Sequence, residues 1–196
     1  MIDSRTDAQG RTVSHMQKFS GALIVALAVV LTLGGCQNEK SSEGAEPSSF
    51  SFPMYPGSRY LARLTELVKQ AHVINKPDEP APPTAIYDTD APLESVAEFY
   101  AKAYGYGRVA PDATNNLSAA KPAAYYRGGD LHADVVAIQP VLRKMNLKVD
   151  TSKALGKYRA AEIDARPNRP RITIQRPYFD VTTSQVVDRT IILMAP

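Results

Sequence analysis

One cysteine and three histidines in 196 residues leave little material for chemistry built on thiols or imidazoles. A lone thiol closes no intrachain disulfide and fills no cysteine-rich zinc site. The formal charge is only +3, without the strongly basic stripe that marks a nucleic-acid binder. Nucleic acid is therefore not an expected partner. The chain also lacks an apolar run of the roughly 20 residues needed to span a bilayer as a helix. No Gly-x-Ser-x-Gly elbow is present, and no glycine-rich phosphate loop precedes a Lys-Ser/Thr pair. Gly156-Lys157-Tyr158 lacks both the upstream glycine and the hydroxyl residue of such a loop.

What the N-terminal part does contain is ordered like a secretory signal. Lys18 supplies a positive start, and Ala22 to Leu33 form a charge-free apolar stretch. Two small residues then lead to the cysteine. The sequence Leu33-Gly34-Gly35-Cys36 resembles the lipobox of bacterial lipoproteins. The resemblance implies that the Cys36 thiol takes a diacylglyceryl group, that cleavage follows Gly35, and that the new N-terminus is acylated. Gln37, rather than an aspartate, implies transfer to the periplasmic face of the outer membrane in a cell with two membranes. Met16 begins a more ordinary signal than the polar residues 1–15, so translation is expected to start there. Residues 1–35 are then a signal peptide.

Loss of residues 1–35 removes Arg5, Arg11 and Lys18 against Asp3 and Asp7, leaving a mature charge of about +2. Residues 36–52 are polar and rich in Ser and Glu, which reads as a lipidated tether reaching at most about 55 Å. Residues 53–196 suit a single globular domain. Asn116-Leu117-Ser118 matches a glycosylation acceptor but carries no information in a bacterial chain.

Periodicity supplies the elements of that domain. Met54-Tyr55-Pro56-Gly57 reads as a turn. Ser58 is placed to cap a helix over 59–72, with Leu61, Leu64, Val68 and Ala71 on one face. A proline-rich connector, Lys76 to Thr84, leads to a short strand over 85–88. A helix over 92–104 follows, with Asp90 as cap, Pro92 in its first turn, a Glu98–Lys102 pair on its wet face and Gly105 at its close. Residues 108–123 read as loop. Asp130 caps a third helix over 131–146, in which Pro140 is expected to kink the axis. Period-two segments at 158–164, 171–176 and 186–194 read as strands, the last two joined across 180–184. The expected fold is α+β, an antiparallel sheet of about four strands with two to three helices packed on one face.

Tyr55-Pro56-Gly57, Tyr87-Asp88-Thr89-Asp90, Leu93, Val96, Phe99-Tyr100 and Gly105 resemble a module of uncharacterised bacterial lipoproteins. That module combines a Tyr-Pro-Gly start, a strand ending in Thr-x-Asp and a helix ending in Phe-Tyr. The pieces span residues 55–105, with a longer gap between the first two than the module has. The resemblance implies no catalytic residues and no cofactor.

Few groupings invite chemistry. His72 and His132 fall on different helices without ligand spacing, so no metal site is expected. Asp88 and Asp90 form a carboxylate pair, for which a strand end and a helix cap are sufficient explanation. Arg159, Arg166, Arg169, Arg171 and Arg176, interleaved with prolines, mark a candidate surface for an anionic ligand. The same residues also suit protection of exposed strand edges. Tyr104, Tyr106, Tyr125 and Tyr126 are candidates for an aromatic surface or for a core rim. The expected function is non-enzymatic: a lipid-anchored envelope domain that binds a protein or an anionic glycan. A small hydrolase or transferase using carboxylates, and a periplasmic small-ligand binder, are the alternatives.

Overall fold

The structure is a computed structural model that describes residues 53–111, 122–165 and 170–195. The signal, Cys36, the tether, Arg166 and Arg169 lie outside the described residues.

The chain is α+β. In order it forms β1 (Arg59–Tyr60), α1 (Ala62–Asn75), β2 (Ala85–Thr89), α2 (Leu93–Ala103), β3 (Ala124–Asp130), α3 (Leu131–Lys144), a 3-10 turn (Thr151–Lys153), β4 (Lys157–Ile163), β5 (Arg171–Arg176), β6 (Tyr178–Asp180), β7 (Gln185–Val187) and β8 (Thr190–Ala195). Six strands make one antiparallel sheet in the order β1-β2-β8-β5-β4-β3, and β6 and β7 form a separate hairpin. The sheet is therefore larger than the sequence suggests.

Both faces of the sheet are covered, not one. Successive strand residues point to opposite faces. Ile86, Ala160 and Ile191 join a core with α1, α3 and the β6–β7 hairpin. Their neighbours Tyr87, Ala161 and Ile192 join a second core with α2. This two-sided burial is why β2 reads as a continuous buried run rather than an alternating one.

The helices follow their apolar stripes, but their starts differ from expectation. Arg59 and Tyr60 pair with β2, so α1 begins at Ala62 after Leu61, and Ser58 caps nothing. The expected apolar face of α1 holds: Leu64 is buried, and Leu61, Val68 and Ala71 pack against the same core. Pro92, not Asp90, precedes α2, and Asp90 makes no cap bond. At the far end of α2, Gly105 takes φ +73°, and the Tyr106 N–H bonds back to the Ala101 carbonyl. This is a closure that a side chain would strain. Asp130 caps α3 as expected, accepting from the Ala133 N–H at 3.0 Å, and the helix runs through Pro140.

Two strand assignments change. Residues 124–130, between the expected loop and the third helix and given no element by the sequence, form β3. The segment expected as one strand over 186–194 is divided at Asp188-Arg189 into β7, which pairs with β6, and β8, which enters the sheet between β2 and β5.

Candidate functional site

Asp88 is the last residue but one of β2, and its side chain is fully buried. A buried carboxylate needs partners, and it has two guanidinium groups. Arg59, its direct partner on β1, donates from Nε to Oδ1 at 3.1 Å and from Nη2 to Oδ2 at 2.9 Å. Arg189, just before β8, donates from Nε to Oδ2 at 2.8 Å. The Tyr178 hydroxyl adds a contact at 3.3 Å from the β6 hairpin. Burial, with the Asp88 charge second, pushes the Tyr178 phenol up, so it stays protonated beside the carboxylate.

The charges continue along this end of the sheet. Arg189 Nη1 also pairs with the exposed Asp90. Arg176 donates from Nε to Asp188 at 2.8 Å and from Nη1 to the Asp90 carbonyl at 3.0 Å. The Arg176 guanidinium holds the Asp188 carboxyl below its ordinary value. Arg159, opposite Arg176 in the ladder, donates to Glu94 at 2.7 Å and lies 4.5 Å from the centre of the Tyr126 ring. The result is a row of arginines at the start of α2, each already matched to a carboxylate.

A second polar network lies under α3. Glu162 on β4 is nearly buried and accepts from Arg127 Nε at 2.7 Å and from Thr173 Oγ1 at 2.7 Å. Arg127 Nη1 donates to the Tyr158 hydroxyl at 2.6 Å, and that hydroxyl donates to Asp134 on α3. Burial, followed by the Asp134 hydrogen bond, pushes the Tyr158 phenol up to about 12. At neutral pH it is a proton-holding bridge between Arg127 and Asp134, not a nucleophile.

Gly129 makes this bridge possible. A Cβ at residue 129 would stand 2.1 Å from Tyr158 Cζ, so only glycine lets the ring lie across β3.

The candidate residues read from the sequence separate in space. Arg159 and Arg176 share the α2 face, whereas alternation along β5 puts the exposed Arg171 on the α1–α3 face. Arg159, Arg171 and Arg176, the three of the five that are described, therefore do not line one surface. Nor do these three protect an edge, because β4 and β5 are interior strands. Tyr104 and Tyr126 are buried with α2, and Tyr106 donates to the Asp164 carbonyl at 2.7 Å. Tyr125 faces the opposite side from Tyr126, so the four tyrosines form no common surface.

His72 sits in the last turn of α1. His132 sits in the first turn of α3, with Nδ1 3.1 Å from the Thr151 carbonyl oxygen. Among the described residues no group of three His, Cys, Asp or Glu side chains could hold a metal ion.

Sequence reasoning did not find Arg59, Arg189, Arg127, Glu162, Asp134 or Tyr178. One signal was present: Glu162 alternates with Tyr158 and Ala160 along a strand, so it falls on an inward-facing row where a carboxylate needs a cation.

Two clefts are formed by helix and loop side chains. One, about 470 Å³, is lined by Gln139, Leu142, Arg143, Leu147, Lys148, Val149 and Asp150. The other, about 410 Å³, is lined by Lys69, Gln70, Val73, Ile74 and Met145. Neither has a strand residue in its wall, so neither is a cleft between helices and sheet.

Comparison with family models, with curated proteins and with solved structures gave no match to this chain.

Proposed function

We propose that the protein is a non-enzymatic, lipid-anchored cell-envelope domain that acts as a binding or adaptor unit. The observation that carries this reading is Leu33-Gly34-Gly35-Cys36 behind a charge-free apolar segment, with a polar spacer before the folded residues. In this reading lipid on Cys36 holds the domain to a membrane, with Gln37 directing it to the periplasmic face of an outer membrane. Two or three acyl chains exceed the one-chain limit of reversible attachment.

The state of the carboxylates supports a binding role over hydrolysis. Asp88, Asp90, Asp188, Glu94 and Glu162 are each paired with an arginine. A general acid of the carboxylate type instead needs a pKa raised by burial and a pocket for substrate.

In-cell crosslinking of the tagged chain, with Cys36→Ser as the unanchored control, tests the proposal. A dominant envelope protein captured only with Cys36 intact is the expected result. Recovery of the chain alone, or the same fractionation for the parent and Cys36→Ser, overturns it.

A further inference from the structure

Helix α3 is apolar on two sides. Leu131, Val135, Ile138 and Leu142 face the core. The opposite row, Ala133, Val136, Ala137 and Pro140, is exposed, and no exposed residue between His132 and Arg143 carries a charge. A helix side turned to water is ordinarily polar or charged. After α3 the chain doubles back along the flank that carries His132, Gln139 and Arg143. The Thr151 carbonyl meets His132, and the Leu131 N–H donates to the Gly156 carbonyl at 3.0 Å. The cleft of about 470 Å³ lies between helix and returning segment, with Arg143 and Lys148 in its walls. Near the end of that segment Leu155 is 68 % exposed, the most exposed large apolar side chain among the described residues.

Charge gathers on the same elements. Residues 130–157 hold five cations, Arg143, Lys144, Lys148, Lys153 and Lys157, against three carboxylates. That excess matches the net charge of the whole mature chain. All five cations are exposed. The carboxylates are engaged by the fold: Asp130 caps α3, Asp134 accepts from Tyr158, and Asp150 accepts from the Ser152 N–H at 3.1 Å. Lys144, Lys148 and Lys157 make no ion pair among the described residues.

We propose that α3 and the segment returning from it form a face that rests on an anionic phospholipid bilayer. Val136 and Leu155 enter the head-group region, and the lysines around them meet lipid phosphates. Composition favours this occupant over a protein. Protein interfaces are enriched in aromatic side chains and depleted in lysine. Between Leu131 and Lys157 there is no Phe, Tyr or Trp, and four of the five cations are lysines. An exposed apolar patch rimmed by lysines suits an interfacial contact with lipid. Each cation near an anionic surface strengthens binding about fivefold. The choice of a bilayer also rests on the lipid-anchored reading, in which a short tether keeps the domain beside a membrane and favours a contact that is weak by itself.

A polarity-sensitive dye at residue 155 tests the face. The full chain with Cys36→Ser and Leu155→Cys has one thiol to carry it. Vesicles of equal parts phosphatidylglycerol and phosphatidylcholine are expected to shift its emission to the blue, and high salt to reverse the shift. Phosphatidylcholine alone should leave it unmoved. So should either vesicle with the dye at Ser95→Cys, an exposed position on α2 across the sheet. Adding Lys144→Gln and Lys148→Gln should raise the lipid concentration needed about 25-fold. This chain carries no lipid, so failure here strikes the face and leaves the crosslinking test of the anchor standing. An unmoved dye at 155, equal shifts at 155 and 95, equal shifts on both vesicles, or a response indifferent to the two lysines overturns the proposal.

Discussion

Arg189 Nε donates to Asp88 Oδ2 at 2.8 Å from a position two residues before Ile191, the ladder partner of Asp88. The contact ties the entry of β8 to the exit of β2, and Arg59 closes the same carboxylate from β1. One buried oxygen pair thus sets the relative position of three strands. The buried carboxylate accepts charged hydrogen bonds from both arginines, each worth about 1.5–3 kcal/mol. Asp88→Ala removes them together and leaves only guanidinium groups that reach solvent, so a loss of at least one such bond is expected, read as a lower denaturant midpoint with an unchanged slope. Arg59→Ala should cost less, because its side chain is 54 % exposed and Arg189 still neutralises Asp88. Equal losses for the two variants would show that Arg189 does not hold Asp88 by itself.

Neighbouring glycines on β3 give a paired test. Gly129→Ala places a methyl group inside the Tyr158 ring and must displace it from Arg127 and Asp134. Overpacking of this kind costs about 1–3 kcal/mol. Gly128→Ala meets only an ordinary contact and reduces the freedom of the unfolded chain, which is worth about 0.4–1 kcal/mol in stability. The two substitutions should move the unfolding midpoint in opposite directions. Similar shifts for both would mean that the Tyr158 ring is not held over residue 129.

Gly129 also shows where reading of the sequence stops. The helices at 92–104 and 131–146, the strand at 171–176 and the Asp130 cap are local patterns, and each is recovered to within a few residues. Strand β3 is not a local pattern. Its Gly128-Gly129 pair breaks the period-two reading, and the reason for Gly129 is a ring on the adjacent strand, almost thirty residues later. The same holds for the charges. Arg59, Asp88 and Arg189 meet only through the order β1-β2-β8, which alternation does not encode. Counting arginines along β4 and β5 therefore grouped residues that the pleat sends to opposite faces.

The two aspartates expected as helix caps should behave differently. Asp130 accepts from the Ala133 N–H, and loss of such a cap costs about 1 kcal/mol. Asp90 is 82 % exposed and pairs with Arg189 without capping α2. An exposed pair is worth about 0.2–1 kcal/mol and is screened by salt. Thermal unfolding of Asp130→Ala should show a loss that persists at high salt, whereas the smaller loss for Asp90→Ala should fade. A salt-insensitive loss at Asp90 would restore it as a cap.

The Tyr158 phenol links the inner network to pH. Its folded-state value of about 12 lies above the ordinary tyrosine value near 10. The folded state therefore holds this proton more tightly than the unfolded state does. The stabilisation is complete below about pH 10 and is lost as the pH rises towards about 12. Tyr100 and Tyr178 are also pushed up by burial, so alkaline unfolding is a shared property of the core. Tyr158→Phe isolates one contribution. At neutral pH it should be less stable than the parent, because the bonds to Arg127 and Asp134 are gone at about 1 kcal/mol each. Above pH 10 its stability should fall less steeply, since one fewer phenol ionises on unfolding. Equilibrium unfolding at several pH values, with phenolate absorbance followed in parallel, separates the two effects. Parallel stability curves for the parent and Tyr158→Phe would show that the Tyr158 proton is held no more tightly in the folded chain than in water.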